Sequence, residues 1–254
     1  MKFHEKSYGR SGPPLIILHG LFGSLDNWTT LAKEFALSFR VFTFDARNHG
    51  RSPHSSVINY EVMAEDLRSF LASHHLDSAH LLGHSMGGKT VMQFALTYPG
   101  HAARIMVVDV APRSYPGKHD TILDALCALQ LDRYKERKEA DEALEPSIPS
   151  AATRQFLLKN LARNDDGSFR WKMNLSALKR HYPEIAGNIT ATGKFLKPAM
   201  FIKGGLSRYI VDDDRAAIKG MFPKAIITTI KKAGHWVHSD APEEMKELVF
   251  RFFG

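Results

Sequence analysis

The chain has 254 residues, of which 44% are hydrophobic, and its formal net charge is +7. That hydrophobic content is ample for a sizeable core of one large domain or two small ones. The single cysteine, Cys127, excludes an intramolecular disulfide and favours a reducing compartment. No apolar run approaches the roughly 20 residues that cross a bilayer, and residues 1–14 lack the apolar stretch of a secretory signal. We therefore expect a cytoplasmic protein with no membrane span.

Six short apolar runs predict strands, and they alternate with helical stretches along most of the chain. The strands are expected at Leu15–Leu18, Arg40–Phe44, Ala79–Leu82, Ile105–Val108, Pro198–Ile202 and Ala225–Ile230. Helices are expected at about residues 28–37, 60–75, 88–98, 213–222 and 243–253. Runs that are apolar on both faces are typical of a parallel sheet covered by helices on each side. The pattern predicts an α/β fold with a mostly parallel, doubly wound sheet, to which Lys2–Tyr8 adds an antiparallel edge strand.

The alternation of strands and helices stops between residues 112 and 197. We expect no strand there, and the pattern predicts helical pieces at about residues 120–129, 133–144, 151–163 and 169–178, with a turn near Pro183. The loop sequence Asn164–Ser168 is expected to separate two of these helices. A helical insertion after one strand of an α/β sheet is typical of a cap over the site. This organisation predicts a hydrolase-like core of residues 1–111 and 198–254, with a helical cap of residues 112–197 inserted after the strand that ends near Asp109.

The positive charge is concentrated in the predicted cap. Residues 151–197 contain nine lysines and arginines against three acids, so they contribute +6 of the net charge. Such a segment is either a solvated basic face or a surface that attracts an anionic substrate. Since no nucleic-acid-binding motif or pattern of stacking aromatics accompanies the charge, we expect no nucleic-acid partner.

The strongest chemical signal is a serine between two glycines at the end of a predicted strand. The Gly-x-Ser-x-Gly pattern of residues 83–87 stands between a predicted strand and a predicted helix. In that setting it is typical of a nucleophile elbow, in which a strained backbone lifts the serine Oγ clear of the sheet. Both glycines are needed because larger side chains would collide with the neighbouring strand and helix. We predict Ser85 as a nucleophile; the alternative is an ordinary strand-to-helix turn.

A histidine suited to activate this serine follows the last predicted strand. A serine hydroxyl needs a base within hydrogen-bonding distance, and the base needs an orienting group. The order along an elbow-type fold is serine, acid, histidine. His235 lies in the expected loop, where Gly234 lets the backbone turn tightly. We predict His235 as the base, with His238 as the alternative, although His238 lies nearer the final helix.

The acid that would orient the imidazole has two candidates. The commonest position is the loop after the penultimate strand, but residues 204–209 contain no carboxylate. Asp109 directly follows the strand before the predicted cap, and its side chain could reach the same imidazole. Asp212 comes just after the acid-free loop but resembles the start of a helix. We predict Asp109 as the acid, with Asp212 as the alternative, and Ser207 as a fourth member that contacts the imidazole or Asp109.

Two backbone N–H groups are expected to bind a developing oxyanion. One belongs to Met86, the residue after the serine, and the other to the loop His19–Ser24. Leu21 is the predicted donor in this loop and Phe22 is the alternative, because glycines on both sides allow a close approach of the backbone. We expect His19 to support the loop by hydrogen bonding.

The segment Asp45–Ser52 is predicted to be structural. Asp45 and Arg47 are suited to bond each other and loop amides, while Asn48 and Gly50 tolerate a positive φ. No histidine pair has the spacing or the carboxylate companions of a metal site. We expect neither a metal nor a cofactor.

Over nearly its full length the sequence resembles the α/β-hydrolase superfamily. The matching strings are HGLFG at 19–23, DARNHGRS at 45–52, GHSMGG at 83–88 and GHW at 234–236. More narrowly it resembles the YbfF-type bacterial esterases, through LFGSLDNW at 21–28, VDVAP at 108–112, GGLSRY at 204–209 and GHWVH at 234–238. This resemblance implies an α/β-hydrolase fold and carboxylesterase or acyl-CoA thioesterase activity, with the acid at Asp109 and a contributing serine at Ser207. Leu206 and Arg208 depart from the Asn-Ser-Pro usual in that group, so its pocket preference is not carried over.

These features together predict a serine esterase or thioesterase that works through an acyl-enzyme. Its partner would be a small-molecule ester or thioester, and the basic segment favours an anionic one. Two alternatives stay open. One is a ligand-binding protein that keeps a hydrolase scaffold without turnover. The other is a different hydrolase with the same triad, such as a carbon–carbon bond hydrolase or a peroxidase-like enzyme.

Overall fold

Nine strands, eleven α-helices and one 3-10 helix at Leu25–Trp28 make up the fold, and the computed structural model describes all 254 residues. The strands are β1 Glu5–Tyr8, β2 Pro14–Leu18, β3 Arg40–Phe44, β4 Ala79–His84, β5 Ala102–Val108, β6 Leu161–Arg163, β7 Phe169–Trp171, β8 Ala199–Gly204 and β9 Ala225–Ile230. The helices are α1 Thr29–Phe35, α2 Tyr60–Ser73, α3 Met86–Thr97, α4 Asp120–Ala128, α5 Arg137–Leu144, α6 Ala151–Leu158, α7 Leu175–Arg180, α8 Tyr182–Ala186, α9 Asp214–Met221, α10 Val237–Asp240 and α11 Pro242–Phe253. None of these helices has the length and hydropathy needed to cross a membrane.

Seven strands form one sheet in the order β1-β3-β2-β4-β5-β8-β9. All neighbours are parallel except β1, which runs antiparallel to β3 at the sheet edge, with Glu5 opposite Phe44. The predicted α/β class, the mostly parallel doubly wound sheet and the antiparallel edge strand are thus confirmed. Since β4, β5, β8 and β9 are parallel, the loops after them meet at one edge, the usual position of a site in open α/β sheets.

Both faces of the sheet are buried, as the continuous apolar runs predict. On β2, Ile16 and Leu18 belong to a core cluster that includes buried residues of α2 and α3. Leu15 and Ile17 point to the other face and pack in a cluster with residues of α1 and α11. Alternate side chains of a strand point to opposite faces, so an apolar run indicates helices on both sides.

The expectation that residues 112–197 contain no strand is wrong. Between β5 and β8 lies a segment, hereafter the insert (residues 112–197), that contains α4 to α8 and also the antiparallel pair β6 and β7. Asn164–Ser168 therefore closes a hairpin instead of separating two helices, and Asn164 N donates to Ser168 O over 2.8 Å. The helix predicted at 151–163 shortens to Ala151–Leu158, and the one predicted at 169–178 is replaced by β7 and the later helix Leu175–Arg180. Strands of three residues are too short to show a period of two in the sequence.

Buried hydrogen bonds join the insert to the rest of the molecule. Tyr60 Oη on α2 donates to the Ile185 carbonyl over 2.5 Å. Asn160 Nδ2 donates to the Phe22 carbonyl over 2.7 Å, in the loop that follows β2. The insert thereby lies against the edge of the sheet at which the predicted site residues meet.

Candidate active site

Ser85 occupies a strained turn between β4 and α3. Its φ of 53° and ψ of −115° lie in a region that non-glycine residues rarely adopt. A Cβ added at Gly83 would lie 2.2 Å from the Gly87 carbonyl oxygen, and one at Gly87 would lie 2.5 Å from the Leu18 carbonyl oxygen. Both glycines are therefore required by close backbone contacts, as the Gly-x-Ser-x-Gly pattern predicts. Strain of this kind is often found at functional sites.

The imidazole of His235 lies between Ser85 and Asp109. The Ser85 hydroxyl donates to His235 Nε2 over 3.2 Å. His235 Nδ1 donates to Asp109 Oδ2 over 2.8 Å, although the two residues are 126 positions apart in the chain. This chain of hydrogen bonds fixes the tautomer in which Nε2 is free to accept a proton. The structure thus brings together the predicted nucleophile, base and acid.

Asp109 is fully buried and has a positive φ of 50°. Its Oδ1 accepts from Gly204 N over 2.9 Å, and its Oδ2 accepts from the Ser207 hydroxyl over 2.5 Å. Burial raises the pKa of Asp109 to about 6, while the hydrogen bonds from Ser207 and Gly204 act in the opposite direction. Ser207 therefore contacts the acid, one of the two contacts predicted for it, and favours its ionised form.

The two alternative residues do not join this arrangement. Asp212 lies just before α9, has a side chain that is 83% exposed, and pairs with Arg215 of that helix. His238 stacks on Trp28 with ring centroids 4.4 Å apart and meets His84 edge-on at 4.9 Å. Neither residue contacts Ser85 or His235 by a hydrogen bond.

Two side chains that the sequence analysis did not single out hold the His235 loop. The Tyr209 ring stacks on the His235 imidazole, with centroids 3.7 Å apart and planes 14° apart. His84 Nε2 donates to the His235 carbonyl over 2.9 Å. Burial lowers the pKa of His235 to about 3, and the nearby His119 and Lys118 act in the same direction. The imidazole is therefore neutral near pH 7, as a proton acceptor must be.

Of the two candidate donors in the loop after β2, only Leu21 has a backbone N–H without an acceptor. Phe22 N donates to His49 Nε2 over 3.3 Å, whereas the N–H of Leu21 donates to no protein group. Met86 is the first residue of α3, so helix geometry leaves its N–H without an intrahelical acceptor. His19 Nε2 accepts from Ala46 N over 2.9 Å, which confirms its predicted supporting role. Between Leu21 and Phe22, the free donor is thus Leu21.

The loop after β3 is structural, but its partners differ from those expected. Asp45 accepts from two backbone amides, those of Leu25 and Arg51, each over 2.8 Å. Arg47 does not bond Asp45; it forms a two-pronged ion pair with Asp66 on α2, with N–O distances of 2.6 and 2.7 Å. The expectation of a mutual Asp45–Arg47 bond is therefore wrong. Spacing in the sequence does not reveal that a helix 19 residues away supplies the carboxylate.

Two cavities meet at Ser85. The first, hereafter the Trp236 cavity, encloses about 550 Å³ when the space open to solvent is included, and is lined by aromatic, apolar and histidine side chains that include Trp28, Phe156, Trp236 and His238. The second, hereafter the Lys89 cavity, encloses about 330 Å³ when the space open to solvent is included, and is lined by Leu21, Tyr60, Ser85, Met86, Lys89, Val110, Tyr115, His119, Tyr182, Ile185, Ala186 and Tyr209. Lys89 is the only lysine, arginine, aspartate or glutamate that lines either cavity.

The nine basic residues of segment 151–197 line neither cavity. Arg154 pairs with Asp141, and Lys179 pairs with Asp124, both within the insert. No group of three or more histidine, cysteine, aspartate or glutamate side chains is placed to hold a metal ion.

The fold and this site define a known class of protein. Residues 13–242 match the family described as alpha/beta hydrolase fold, and the chain belongs to this family. A solved structure of a marine microorganism esterase superposes with a TM-score of 0.96, at 42% identity, and the match covers 99% of each chain.

Curated relatives narrow the class further. Esterase YbfF of Escherichia coli (strain K12) is 36% identical over 242 residues, which are 94% of this chain and 92% of the relative. The sn-1-specific diacylglycerol lipase ABHD11 of Mus musculus is 40% identical over 248 residues, which are 94% of this chain and 80% of the relative. The resemblance to YbfF-type esterases is confirmed, and the chain is a hydrolase of the esterase and lipase type.

Proposed function

We propose that the protein is a serine hydrolase that cleaves carboxylic esters or acyl thioesters through an acyl-enzyme at Ser85. The observation that carries the proposal is the continuous hydrogen-bonded chain from Asp109 through His235 to the Ser85 hydroxyl, at the junction of two cavities. A hydroxyl with a base and an orienting acid in this geometry is an activated nucleophile.

Acylation begins when Ser85 Oγ attacks the carbonyl carbon of the substrate. The Oγ–carbon bond forms as the hydroxyl proton moves to His235 Nε2, and the carbonyl electron pair moves to its oxygen. When the tetrahedral intermediate collapses, the bond to the leaving oxygen or sulfur breaks. His235 gives its proton to the departing alkoxide or thiolate, so an alcohol or thiol leaves and Ser85 is acylated. Asp109 stabilises the imidazolium that forms in between.

Deacylation repeats these steps with water. His235 takes a proton from water as the water oxygen attacks the acyl carbon, and then returns a proton to Ser85 Oγ as the ester bond breaks. The products are a carboxylic acid and the free enzyme. Ser207 acts through Asp109 as a positioning residue, because its hydroxyl donates to the same oxygen that accepts from His235.

The backbone amides of Leu21 and Met86 are proposed to bind the oxyanion in both steps. Each donor of this kind contributes about 3 kcal/mol to the transition state when it is preorganised. His49 and Asn160 support the donor loop by bonding the N–H and the carbonyl of Phe22 respectively. This support keeps the amide of the preceding residue available.

The insert is proposed to act as a cap over this site, with the core formed by residues 1–111 and 198–254. Phe156 of the insert packs against Trp236 of the His235 loop with ring centroids 5.3 Å apart, and both line the Trp236 cavity. The printed names of the relatives, esterase and diacylglycerol lipase, support ester cleavage. Thioesters are included because an ester and a thioester of the same acid give the same acyl-enzyme.

A fluorophosphonate probe tests the proposal, because it reacts covalently only with an activated serine. We expect the wild-type protein to be labelled and the Ser85→Ala variant to be unlabelled, with ester hydrolysis reduced at least about a thousandfold. Ser73→Ala, which removes an exposed hydroxyl on α2, is the matched control and should be labelled like the wild type. A correctly folded wild-type protein that is not labelled would instead be a ligand-binding protein on a hydrolase scaffold.

A further inference from the structure

Lys89 is a buried ammonium group without a carboxylate partner. Only 2% of the residue is exposed, and it takes part in none of the ion pairs of the molecule. Its Nζ donates to the carbonyl of Gly187, and to that of Ala186 over 3.4 Å, at the C-terminal end of α8. Lysine is almost never fully buried unless it is paired, so a buried lysine without a carboxylate partner is unusual.

The surroundings of the ammonium compensate only part of the cost of burial. Its Nζ lies 4.8 Å from the centroid of the Tyr115 ring and 5.5 Å from that of Tyr60, both at cation–π distance. Burial nevertheless lowers the pKa of Lys89 to about 7, with Arg113 acting in the same direction. An anion bound at Nζ would restore the charged form and gain from the low dielectric of the cavity.

Ser85 immediately precedes α3, and Lys89 lies in the first turn of this helix. Lys89 N donates to Ser85 O over 3.0 Å, a bond from residue i+4 to residue i that places the two residues one turn apart along the chain. Both residues line the Lys89 cavity. An acyl group attached to Ser85 Oγ and entering this cavity is therefore directed toward the ammonium.

The rest of the cavity is suited to a short hydrocarbon chain that ends in an acceptor. Leu21, Val110 and Ile185 give it apolar walls, and no acidic residue lines it. The hydroxyls of Tyr60 and Tyr115 already donate to the carbonyls of Ile185 and Tyr209, each over 2.5 Å. A carboxylate on the acyl chain would thus find its charged donor in Lys89.

We propose that the Lys89 cavity is the acyl-binding site and that Lys89 Nζ binds a carboxylate at the far end of the acyl chain. This inference rests on the proposed acyl-enzyme function and specifies its substrate class. The favoured substrates are half-esters and half-thioesters of short dicarboxylic acids. Their leaving group then occupies the Trp236 cavity, on the other side of Ser85.

The test compares two esters that differ only at the end of the acyl chain, monoethyl glutarate and ethyl valerate. Hydrolysis is followed by titration of the released acid at pH 6.5, and the readout is the ratio of kcat/KM for the two esters. We expect the wild type to favour the glutarate ester, and Lys89→Met to lower the ratio by about tenfold or more. A folding defect or a general loss of activity lowers kcat/KM for both esters by the same factor, so it cancels in the ratio. Lys172→Met, at a lysine outside both cavities, should leave the ratio unchanged.

Binding without turnover provides a second measurement. Free glutarate should protect Ser85 from the fluorophosphonate probe in the wild type and protect it less in Lys89→Met, whereas valerate should protect both proteins to the same extent. If ethyl valerate is hydrolysed and Ser85 is labelled, but the ratio is the same in wild type and Lys89→Met, the carboxylate site is wrong and the esterase proposal stands. If the wild type cleaves neither ester and is not labelled, the acyl-enzyme proposal itself fails.

Discussion

At the scale of single residues, burial opposes the charged forms of both partners in the Asp109–His235 pair. It raises the pKa of Asp109 to about 6 and lowers that of His235. The catalytic proposal needs a neutral imidazole beside an ionised carboxylate. Burial itself keeps the imidazole neutral. The ionised state of the carboxylate depends on the hydrogen bonds that Gly204 and Ser207 donate to it. Removal of the Ser207 hydroxyl is therefore the most informative test of this state.

The Ser207→Ala variant is expected to lose activity at the acid end of the pH range. The Ser207 hydroxyl holds the pKa of Asp109 down, so its loss raises that pKa and protonates the carboxylate at a higher pH. The acid limb of the kcat/KM profile should therefore move to higher pH, and kcat at pH 7 should fall by about tenfold. The measurement is kcat/KM for a neutral ester between pH 5 and about pH 9.

Two further variants separate this effect from a general structural defect. Ser207→Thr keeps the hydroxyl and should return the acid limb toward its wild-type position. Asp212→Asn, at the exposed alternative acid, should leave the profile unchanged. A fall in activity of Ser207→Ala with no shift of the acid limb would refute the assigned role.

The candidate site could largely be predicted at this scale, because local sequence determines local geometry. Ser85 and His235 follow from motifs of a few residues, and Asp109 follows from its position after a strand. The stacking of Tyr209 on His235 could not be predicted, since it depends on the packing of two separate loops. The choice between Leu21 and Phe22 likewise required His49, which comes from another loop.

At the scale of elements, an ion pair joins the loop after β3 to helix α2. The side chains of Arg47 and Asp66 are 9% and 10% exposed, and Arg47 Nη1 also donates to the Val57 carbonyl over 2.9 Å. Loss of one member leaves the other charge buried without a partner. The pair therefore fixes the position of α2, which carries Tyr60 into the Lys89 cavity.

Arg47→Met is expected to lower the free energy of unfolding by about 3 kcal/mol or more. Arg68→Met, which breaks an exposed pair with Glu65 on the same helix, should lower it by less than about 1 kcal/mol. The double variant Arg47→Met/Asp66→Leu should recover part of the loss, since no unpaired charge remains. Urea-induced unfolding measures all three, and equal effects of Arg47→Met and Arg68→Met would contradict the expectation.

Most elements of the sheet and its covering helices could be predicted because their hydrophobic period is long enough to recognise. The strands of the large sheet have four to seven residues, and those of the insert have three. A hairpin of that size is stabilised by its packing in the insert and by its turn, where Gly167 has a φ of +86°. Its sequence therefore resembles a loop between helices.

At the scale of the whole molecule, the surplus positive charge and the buried lysine are two separate electrostatic features. The basic side chains of segment 151–197 line neither cavity, and several of them bond acids or carbonyls of the insert. Their long-range field attracts anions toward the protein without selecting among them. Lys89, by contrast, would act at contact distance inside a cavity with mostly apolar walls.

The two electrostatic features differ in how they depend on salt concentration. Added salt screens exposed charges strongly and buried ones weakly, so the rate advantage from the net charge should disappear near 0.5 M NaCl, where the Debye length is roughly 4 Å. The preference that depends on Lys89 should persist at high salt. To measure it, the ratio of kcat/KM for the glutarate ester to that for the valerate ester in the wild type is divided by the same ratio in Lys89→Met. This quotient should change less than about twofold between 0.05 and 0.5 M NaCl. The control is Lys172→Met, whose ratio should follow the wild type at each salt concentration. If the preference for the carboxylate ester vanishes at high salt in the wild type, the surface field is its source and the cavity lysine is not.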